Sequence, residues 1–83
     1  MERKEILKRV NEIFCEVFDD GTIVIRDETT ASDIPDWDSL MQIELVSEHE
    51  SHFGLRFGMK EVLNMKNVGE MIDLLEEKIN VHV

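Results

Sequence analysis

Helical periodicity is the feature that most limits what this chain can fold into. Apolar residues recur every three or four positions in three separate segments, whereas only Thr22-Ile23-Val24-Ile25 has clear strand propensity. A lone strand has no neighbour with which to share backbone hydrogen bonds, so we expect this run to be a loop whose apolar side chains pack onto the helices. The sequence therefore predicts an all-α fold.

Apolar residues with this spacing form a stripe along one face of a helix, and the three stripes set the bounds of three predicted helices. The first helix covers residues 2 to about 18 and ends at Asp19-Asp20-Gly21. The second covers residues 39 to 53, with Gly54 as its C-terminal cap and Leu55 folding back over the last turn. The third begins after an Asn67 cap that is followed three residues later by Glu70. The stripes are Ile6, Val10, Ile13 and Val17, broadened by Leu7, Phe14 and Phe18; Leu40, Ile43, Val46, His49 and Phe53, widened by Leu45; and Val68, Met71, Ile72, Leu75 and Ile79.

Two further segments complete the predicted architecture. Residues 58–63 are long enough for one short helix, and residues 21–38 form a long connection in which Pro35 resists helix. Three long helices and one short helix predict a small four-helix bundle with a long loop between the first two helices. We expect residues 1–83 to form one domain. So small a core leaves little room for a full substrate cleft, which favours a carrier or binding role over catalysis.

The charge of the chain argues against several kinds of partner. Nineteen acidic and nine basic residues give a formal charge of −10, and residues 19–59 alone hold ten acidic and two basic residues, or −8. This charge repels phosphate backbones and anionic lipids, so we expect no nucleic-acid partner and no membrane partner. From charge alone, a merely solubilising acidic face is an equally good interpretation. We expect a small domain with this much net charge to be a monomer.

Cysteine content and hydropathy favour a cytoplasmic protein. Cys15 is the single cysteine and has no internal disulfide partner, which fits a reducing compartment. Residues 1–10 alternate charged and apolar side chains, unlike a signal peptide, and the longest aliphatic run is too short to span a membrane.

The tripeptide Asp38-Ser39-Leu40 opens the second predicted helix. A given three-residue string occurs by chance in a few per cent of chains of this length, at typical residue usage. Ser39 followed by Gln42 also fits the capping-box pattern of a helix N-terminus. Local chemistry alone therefore favours an ordinary helix cap, formed by Asp38 or Ser39, over a functional site.

The context of the tripeptide resembles the acyl carrier protein family over most of the chain. The shared order is a first helix, a long loop, the Asp-Ser-Leu step, an acidic helix ending in Phe53-Gly54, a short helix and a closing helix. In that family the motif's serine carries 4′-phosphopantetheine, whose thiol holds an acyl or aminoacyl group while separate enzymes act on it. The resemblance implies a carrier rather than an enzyme, with Ser39 as the attachment residue and Asp38 and Leu40 flanking it. A phosphodiester suits a helix N-terminus, where free N–H groups favour negative charge.

The resemblance also implies partners. These are a phosphopantetheinyl transferase and acyl-loading and acyl-processing enzymes, which we expect to approach the acidic helix with basic docking surfaces. The resemblance does not identify the group that is carried, because fatty acyl, polyketide and aminoacyl groups would all be held on the same serine. The predicted partner-binding residues are Trp37, Met41, Glu44, Glu48 and Glu50.

Four of these positions carry specific structural expectations. We expect Leu40 to be buried as the first member of its stripe, Trp37 to be partly buried, and Met41 to be exposed beside the serine. His49 takes a stripe position where the family usually has leucine. A buried imidazole there would loosen the bundle when protonated, because an unpaired buried charge is costly.

Other chemistries fit the sequence poorly. His49-Glu50-Ser51-His52 is one residue short of the zinc-peptidase pattern, and His82 is the only further histidine, so we expect no metal site. A calcium loop centred on Gly21 would place Phe18 where a ligand oxygen is required. Ser39 lacks the elbow glycines of a hydrolase. The remaining alternative is an unmodified acidic helical interaction module with Ser39 as its N-cap.

Overall fold

The first helix, Arg3–Val17, lies against both other long helices in the computed structural model, which describes residues 2–81. Four α-helices and one 3₁₀ turn form in these residues, with no strand, so the predicted all-α bundle is confirmed. None of the helices in this range combines the length and apolar character needed to cross a membrane. The helices are α1 (Arg3–Val17), α2 (Ser39–Phe53), α3 (Met59–Asn64) and α4 (Val68–Val81), and the 3₁₀ turn is Ala31–Asp33.

The core is built mainly from α1 and α4. Full burial of an aliphatic or phenyl side chain stabilises a fold by about 1.5–3 kcal/mol, so these two stripes supply most of the apolar stabilisation. Both predicted stripes face inward, with Val17 and Ile79 only partly buried. The buried apolar residues are Ile6, Val10, Ile13 and Phe14 of α1, Leu45 of α2, Val68, Met71, Ile72 and Leu75 of α4, and Ile25, Ile34 and Leu55 of the connections.

The apolar run in the long loop is held by one amide side chain. Asn11 Oδ1 accepts a hydrogen bond of 2.7 Å from the Ile25 amide, and Asn11 Nδ2 donates to the Ile23 carbonyl at 3.1 Å. Ile25 is buried while Val24 points to solvent. Asn11 thus takes the place of a neighbouring strand, and the predicted packing of this loop onto the helices is confirmed.

The far end of the loop is bonded to the start of α4. The amides of Val68 and Gly69 donate to the carbonyls of Thr29 and Asp27, at 2.9 and 2.8 Å. A Cβ built on Gly69 would lie 2.9 Å from the Asp27 carbonyl oxygen. Only glycine therefore allows the loop backbone to approach α4 so closely.

Arg3 ties three segments together at the same end of the bundle. Its guanidinium lies 2.6 Å from Asp73, 2.9 Å from Glu76 and 3.3 Å from Asp27. The hydrogen bonds to Glu76 and Asp73 raise the pKa of Arg3 above its already high ordinary value. The Arg3 guanidinium thus links the beginning of α1 to the loop and to the outer face of α4.

The predicted caps Gly54 and Asn67 are confirmed, whereas the end of α1 differs from the expected one. Gly54 adopts the left-handed conformation, with φ 65°, and its amide and that of Leu55 donate to the Glu50 carbonyl. Asn67 Oδ1 accepts from the Glu70 amide at 2.9 Å, as expected for a cap. At the end of α1, however, Asp19 rather than Gly21 takes the positive φ, at 51°. Aspartate tolerates this region better than most residues.

The buried face of α2 differs from the predicted stripe. Leu40 and Ile43 are 73% and 67% exposed, whereas Leu45 and His49 are fully buried. Each residue turns a helix by about 100°, so the nine residues from Leu40 to His49 turn it through about 180° beyond whole turns. Leu40 and His49 therefore lie on opposite sides of α2, and the predicted burial of Leu40 is wrong.

His49 is the one buried polar side chain among the described residues. Its Nδ1 lies 2.6 Å from the Leu45 carbonyl, so this nitrogen carries the proton, and its Nε2 has no hydrogen-bond partner. The ring lies edge-on to Phe14 and stacks on Phe53. Burial lowers the pKa of His49 to about 4; the bond to Leu45 opposes the shift and nearby His52 adds to it. The prediction of a buried imidazole is confirmed.

Replacing Gly69 by alanine is expected to destabilise the domain by about 1–3 kcal/mol, because the new methyl group meets a backbone carbonyl that cannot rotate away. Urea denaturation measures this free energy of unfolding. Gly21→Ala is the matched control: space at Gly21 is open, and the change should stay within about 0.5 kcal/mol of the parent. Equal stability of the two variants would contradict the proposed close approach.

His49→Leu is expected to remove a pH dependence of stability. The pKa of His49 is about 4 in the fold and about 6.5 in the unfolded chain. The unfolded chain therefore binds more protons between these values, and the parent loses about 3 kcal/mol of stability as pH falls from about 6.5 to 4.

The measurement is the free energy of unfolding of both proteins from pH 4 to 8. Carboxylates titrate in both, so the difference between the two curves isolates His49. This difference should be constant above about pH 7 and grow in favour of the variant on acidification. Parallel curves over the whole range would show that His49 protonation does not loosen the bundle.

Candidate functional site

Asp38, and not Ser39, caps the N-terminus of α2. The Asp38 backbone is extended, its side-chain oxygen accepts from the Met41 amide at 2.9 Å, and its carbonyl accepts from the Gln42 amide at 2.9 Å. The capping-box interpretation of Ser39 and Gln42 is therefore wrong. The aspartate one residue earlier reaches the free amide of the first turn and leaves the serine inside the helix.

Trp37 fixes the loop just before this turn. Its indole Nε1–H donates to Gln42 Oε1 at 2.7 Å, so Gln42 is engaged with the tryptophan rather than with the helix amides. The ring packs edge-on against Phe14 of α1, at a centroid distance of 5.2 Å, and lies 6.4 Å from Phe18. The side chain is half-buried, as predicted. The start of α2 is thereby attached to α1 immediately before Ser39.

Ser39 is exposed at the first position of α2. Within residues 2–81 its hydroxyl makes no hydrogen bond, and the amides of Ser39 and Leu40 have no backbone acceptor. Free amides and the positive end of the helix dipole favour an anion at this point. The hydroxyl is therefore accessible, uncommitted and placed where a phosphate group would be stabilised.

An open groove of about 580 Å³ begins at Ser39 and runs between α2 and α3. Its apolar lining comes from both helices, from the long loop and from Met71 of α4. The walls are mainly apolar, so the groove fits a slender, partly apolar chain better than a charged one. The principal apolar lining residues are Trp37, Ile43, Met59, Val62, Leu63 and Met71.

Exposed apolar side chains surround the serine. Leu40 follows Ser39 on α2, and Ile43, Met59 and Leu63 form the rim of the groove; Met59 and Leu63 are 77% and 76% exposed. A contiguous apolar patch on a small acidic domain indicates a binding surface. The stripe interpretation missed this patch because it assigned Leu40 and Ile43 to the core. The rotation of about 100° per residue is the sequence signal that separates them from His49.

The predicted acidic partner residues divide into two groups. Glu44 and Glu48 are exposed on α2. Glu50 is half-buried, and its Oε2 accepts from the Phe57 amide at 2.9 Å, so it holds the connection between α2 and α3. Met41 is half-buried rather than exposed, which contradicts the expectation for that residue.

The histidines and the serine do not form a catalytic group in the described part of the chain. His49 is enclosed in the core beside Phe14, whereas Ser39 begins the helix at the surface. The residues from His49 to His52 do not converge on one point, since one imidazole is buried and the other is exposed. His82 lies outside the described residues.

Comparisons with known proteins agree with this geometry. A family model described as "Phosphopantetheine attachment site" matches residues 8–75. The acyl carrier protein of Acidothermus cellulolyticus is 36% identical over 75 residues, covering 90% of this chain and 89% of that protein. The holo acyl carrier protein of Geobacter metallireducens, solved by NMR, superposes with a TM-score of 0.88 at 39% identity, covering 93% of this chain and 88% of that one. The crystal structure of the Thermotoga maritima acyl carrier protein gives a TM-score of 0.85 at 28% identity, over 100% and 96% of the two chains.

Proposed function

The chain belongs to the acyl carrier protein family, and we propose that Ser39 is the residue that carries its 4′-phosphopantetheine. Members of the family are carriers and not enzymes, and the function lies in the covalent prosthetic arm. The thiol of the arm holds the acyl group as a thioester and presents it to partner enzymes. The polypeptide supplies the attachment point, its orientation and the surface that partners recognise.

The free hydroxyl of Ser39 is the observation that carries this proposal. Asp38 satisfies the first-turn amide, so Ser39 is not needed as a cap and remains exposed. The alternative was an unmodified acidic interaction module with Ser39 as a plain helix cap. It is not favoured, because the chain belongs to a family of phosphopantetheine-bearing carriers, and Asp38 takes the capping role. On transfer from coenzyme A, the Ser39 oxygen forms a phosphodiester, the nucleotide part leaves, and the hydroxyl proton passes to the transferase.

The surroundings of Ser39 fit the arm. Its phosphate would lie at the start of α2, beside the free amides of Ser39 and Leu40. The groove rimmed by Ile43, Met59 and Leu63 begins at the same residue and offers an apolar wall to the remaining chain. Asp38 adds a negative charge near the phosphate, but its carboxylate is already bonded to the Met41 amide.

Partner enzymes dock on the exposed face of α2 and α3 around the serine. We define this docking face by its apolar residues Leu40, Ile43, Met59 and Leu63 and its acidic residues Glu44 and Glu48. The family interacts with a phosphopantetheinyl transferase and with acyl-processing enzymes. A basic patch on such an enzyme is complementary to the carboxylates and is steered toward them, while the apolar residues supply contact area.

The expected compartment is the cytoplasm. Cys15 is a free, half-buried thiol, and Sγ lies 3.5 Å from the Ile23 carbonyl. The thiol of the prosthetic arm must also stay reduced to accept an acyl group. Both thiols are compatible with a reducing compartment.

Ser39→Ala is expected to abolish loading. The intact mass of the parent should rise by one phosphopantetheine after incubation with coenzyme A and a broad-specificity transferase, and the variant should not change. Ser51→Ala is the matched control, because Ser51 is also exposed on α2 but lies away from the groove. Loading of the Ser39 variant, or loss of loading in the Ser51 variant, would assign the arm to another residue.

Reversing the charge of Glu44 and Glu48 to lysine is expected to slow transfer by roughly tenfold at low ionic strength, because steering of the basic enzyme is lost. Initial rates of loading measure the effect at low and high salt. Glu77→Lys is the control, since Glu77 is exposed on α4. The difference between the double variant and the control should shrink as salt rises. Equal rates at low salt would argue against the docking face, provided circular dichroism shows intact helices.

A further inference from the structure

A second open depression lies on the long loop, separate from the docking face. It has a volume of about 500 Å³, and most of its walls come from residues 20–29 and residues 33–36. None of its lining residues belongs to the groove at Ser39 or to the docking face. A molecule bound in this depression therefore contacts a different set of residues from an enzyme at Ser39. The apolar lining residues are Phe18, Ile23, Val24, Ile34 and Pro35.

The backbone of Val24 has an unused hydrogen-bonding edge. The Asn11 side-chain amide donates to the Ile23 carbonyl and accepts from the Ile25 amide, which is how one residue of a parallel strand would pair with this run. In an extended backbone successive residues face opposite sides, so the amide and carbonyl of Val24 point away from Asn11. Within residues 2–81 these two groups make no hydrogen bond, and the Val24 side chain is 75% exposed. The run therefore presents one free strand edge.

We propose that this edge binds an extended, basic segment of a partner protein by strand addition. In this mode of recognition the main-chain hydrogen bonds supply affinity, and pockets for alternate side chains supply specificity. The Val24 amide would donate to the segment, and the Val24 carbonyl would accept from it. An apolar side chain of the segment would pack on Ile34 and Pro35, which line the same depression.

The charge of the depression favours a basic segment. Four carboxylates and one guanidinium line it, which gives −3; they belong to Asp20, Glu28, Asp33, Asp36 and Arg26. The hydroxyl and the amide of Thr22 donate to Asp20 and lower the pKa of its carboxyl group, so this charge persists in mildly acidic solution. Among the described residues, Glu28 and Asp36 form no ion pair. A second copy of this chain is a poor occupant, because its own formal charge is −10.

Strand addition at Val24 would hold the carrier without using the docking face. A basic tail on an enzyme would bind the depression while the body of the enzyme reaches Ser39. Joining two contacts in one partner makes the second binding event intramolecular, so a weak contact at the edge raises the overall affinity. The inference does not depend on the proposed attachment at Ser39, and it can be tested on protein without the prosthetic arm.

The experiment uses a synthetic hexapeptide of alternating lysine and valine, blocked at both ends, as the probe. Nuclear magnetic resonance of the isotope-labelled protein follows the backbone amides during titration. We expect saturable shifts at residues 22–26 and 33–36. Hydrogen exchange of the Val24 amide should slow in the complex, whereas the Ile25 amide, which is already bonded to Asn11, should change little.

Two modified probes separate the contributions of charge and backbone. A hexapeptide with glutamate in place of lysine should bind at least tenfold more weakly, because it is repelled by the carboxylates. A lysine hexapeptide methylated on every backbone nitrogen keeps its charge but has lost its donors, and it should also bind at least tenfold more weakly.

Variants of the protein test the same two contributions. Glu28→Lys combined with Asp36→Lys should weaken binding of the lysine probe by roughly tenfold or more at low ionic strength. Glu12→Lys combined with Glu77→Lys is the matched control, since it changes the net charge equally at exposed helix positions outside the depression. Val24→Pro removes the amide donor and should abolish binding, whereas Val24→Thr keeps the donor and should bind like the parent.

Several outcomes would overturn the proposal. Equal loss of affinity in the two double variants would show general attraction of a basic peptide to an acidic protein. Unchanged binding by Val24→Pro, or shifts confined to the docking face, would exclude strand addition at Val24. Shifts at residues 22–26 that grow with protein concentration in the absence of peptide would assign the edge to a second copy. If circular dichroism shows that Val24→Pro is unfolded, unchanged exchange of the Val24 amide in the parent complex would refute the backbone pairing.

Discussion

The position of Ser39 depends on how the long loop satisfies its backbone hydrogen bonds without a partner strand. Buried backbone groups must find partners, and a bundle of helices offers few free ones. Asn11 supplies one donor and one acceptor from the side of α1, and the first amides of α4 supply two donors to Asp27 and Thr29. The loop therefore joins α1 to α4 before the chain enters α2. This arrangement holds the approach to Ser39 without any sheet.

Local signals explain why the helix bounds follow from the sequence so closely. A cap needs only the residues beside it, so Asn67 and Gly54 predict helix ends without knowledge of the rest of the fold. The 3₁₀ turn at Ala31–Asp33 was missed, although Thr30 and Asp33 have the spacing of a capping box and the Thr30 amide donates to Asp33. The Asp33 side chain and two backbone bonds, from the Asp33 amide to Thr30 and from the Ile34 amide to Ala31, hold this turn.

Which side of a helix faces the core is harder to predict from sequence than where the helix begins and ends. Apolar residues on α2 serve either the core or a partner, and composition does not separate them; Leu40 and Leu45 are equally apolar, yet one is exposed and the other is fully buried. The angle around the helix separates them, because successive spacings of three rotate the stripe by about 60° at each step.

The attachment motif was predicted by family resemblance, whereas its cap, the Trp37–Gln42 bond and the Glu50 contact required the structure. Each of these is a hydrogen bond between a side chain and another group of the same chain, and the helical periodicity of the sequence does not specify which groups come together.

Different sides of helix α2 serve different functions, and the position of a residue around the helix axis decides which side it lies on. Spacings of four drift around the helix by about 40° per step, so the row Leu40, Glu44, Glu48 and His52 begins beside the attachment serine and ends against Glu16 of α1. The neighbouring row contains the buried residues Leu45 and His49. Glu48 consequently belongs to the docking face and also lies near the contact between α2 and α1, because His52 Nε2 is 3.8 Å from Glu48 and 3.8 Å from Glu16.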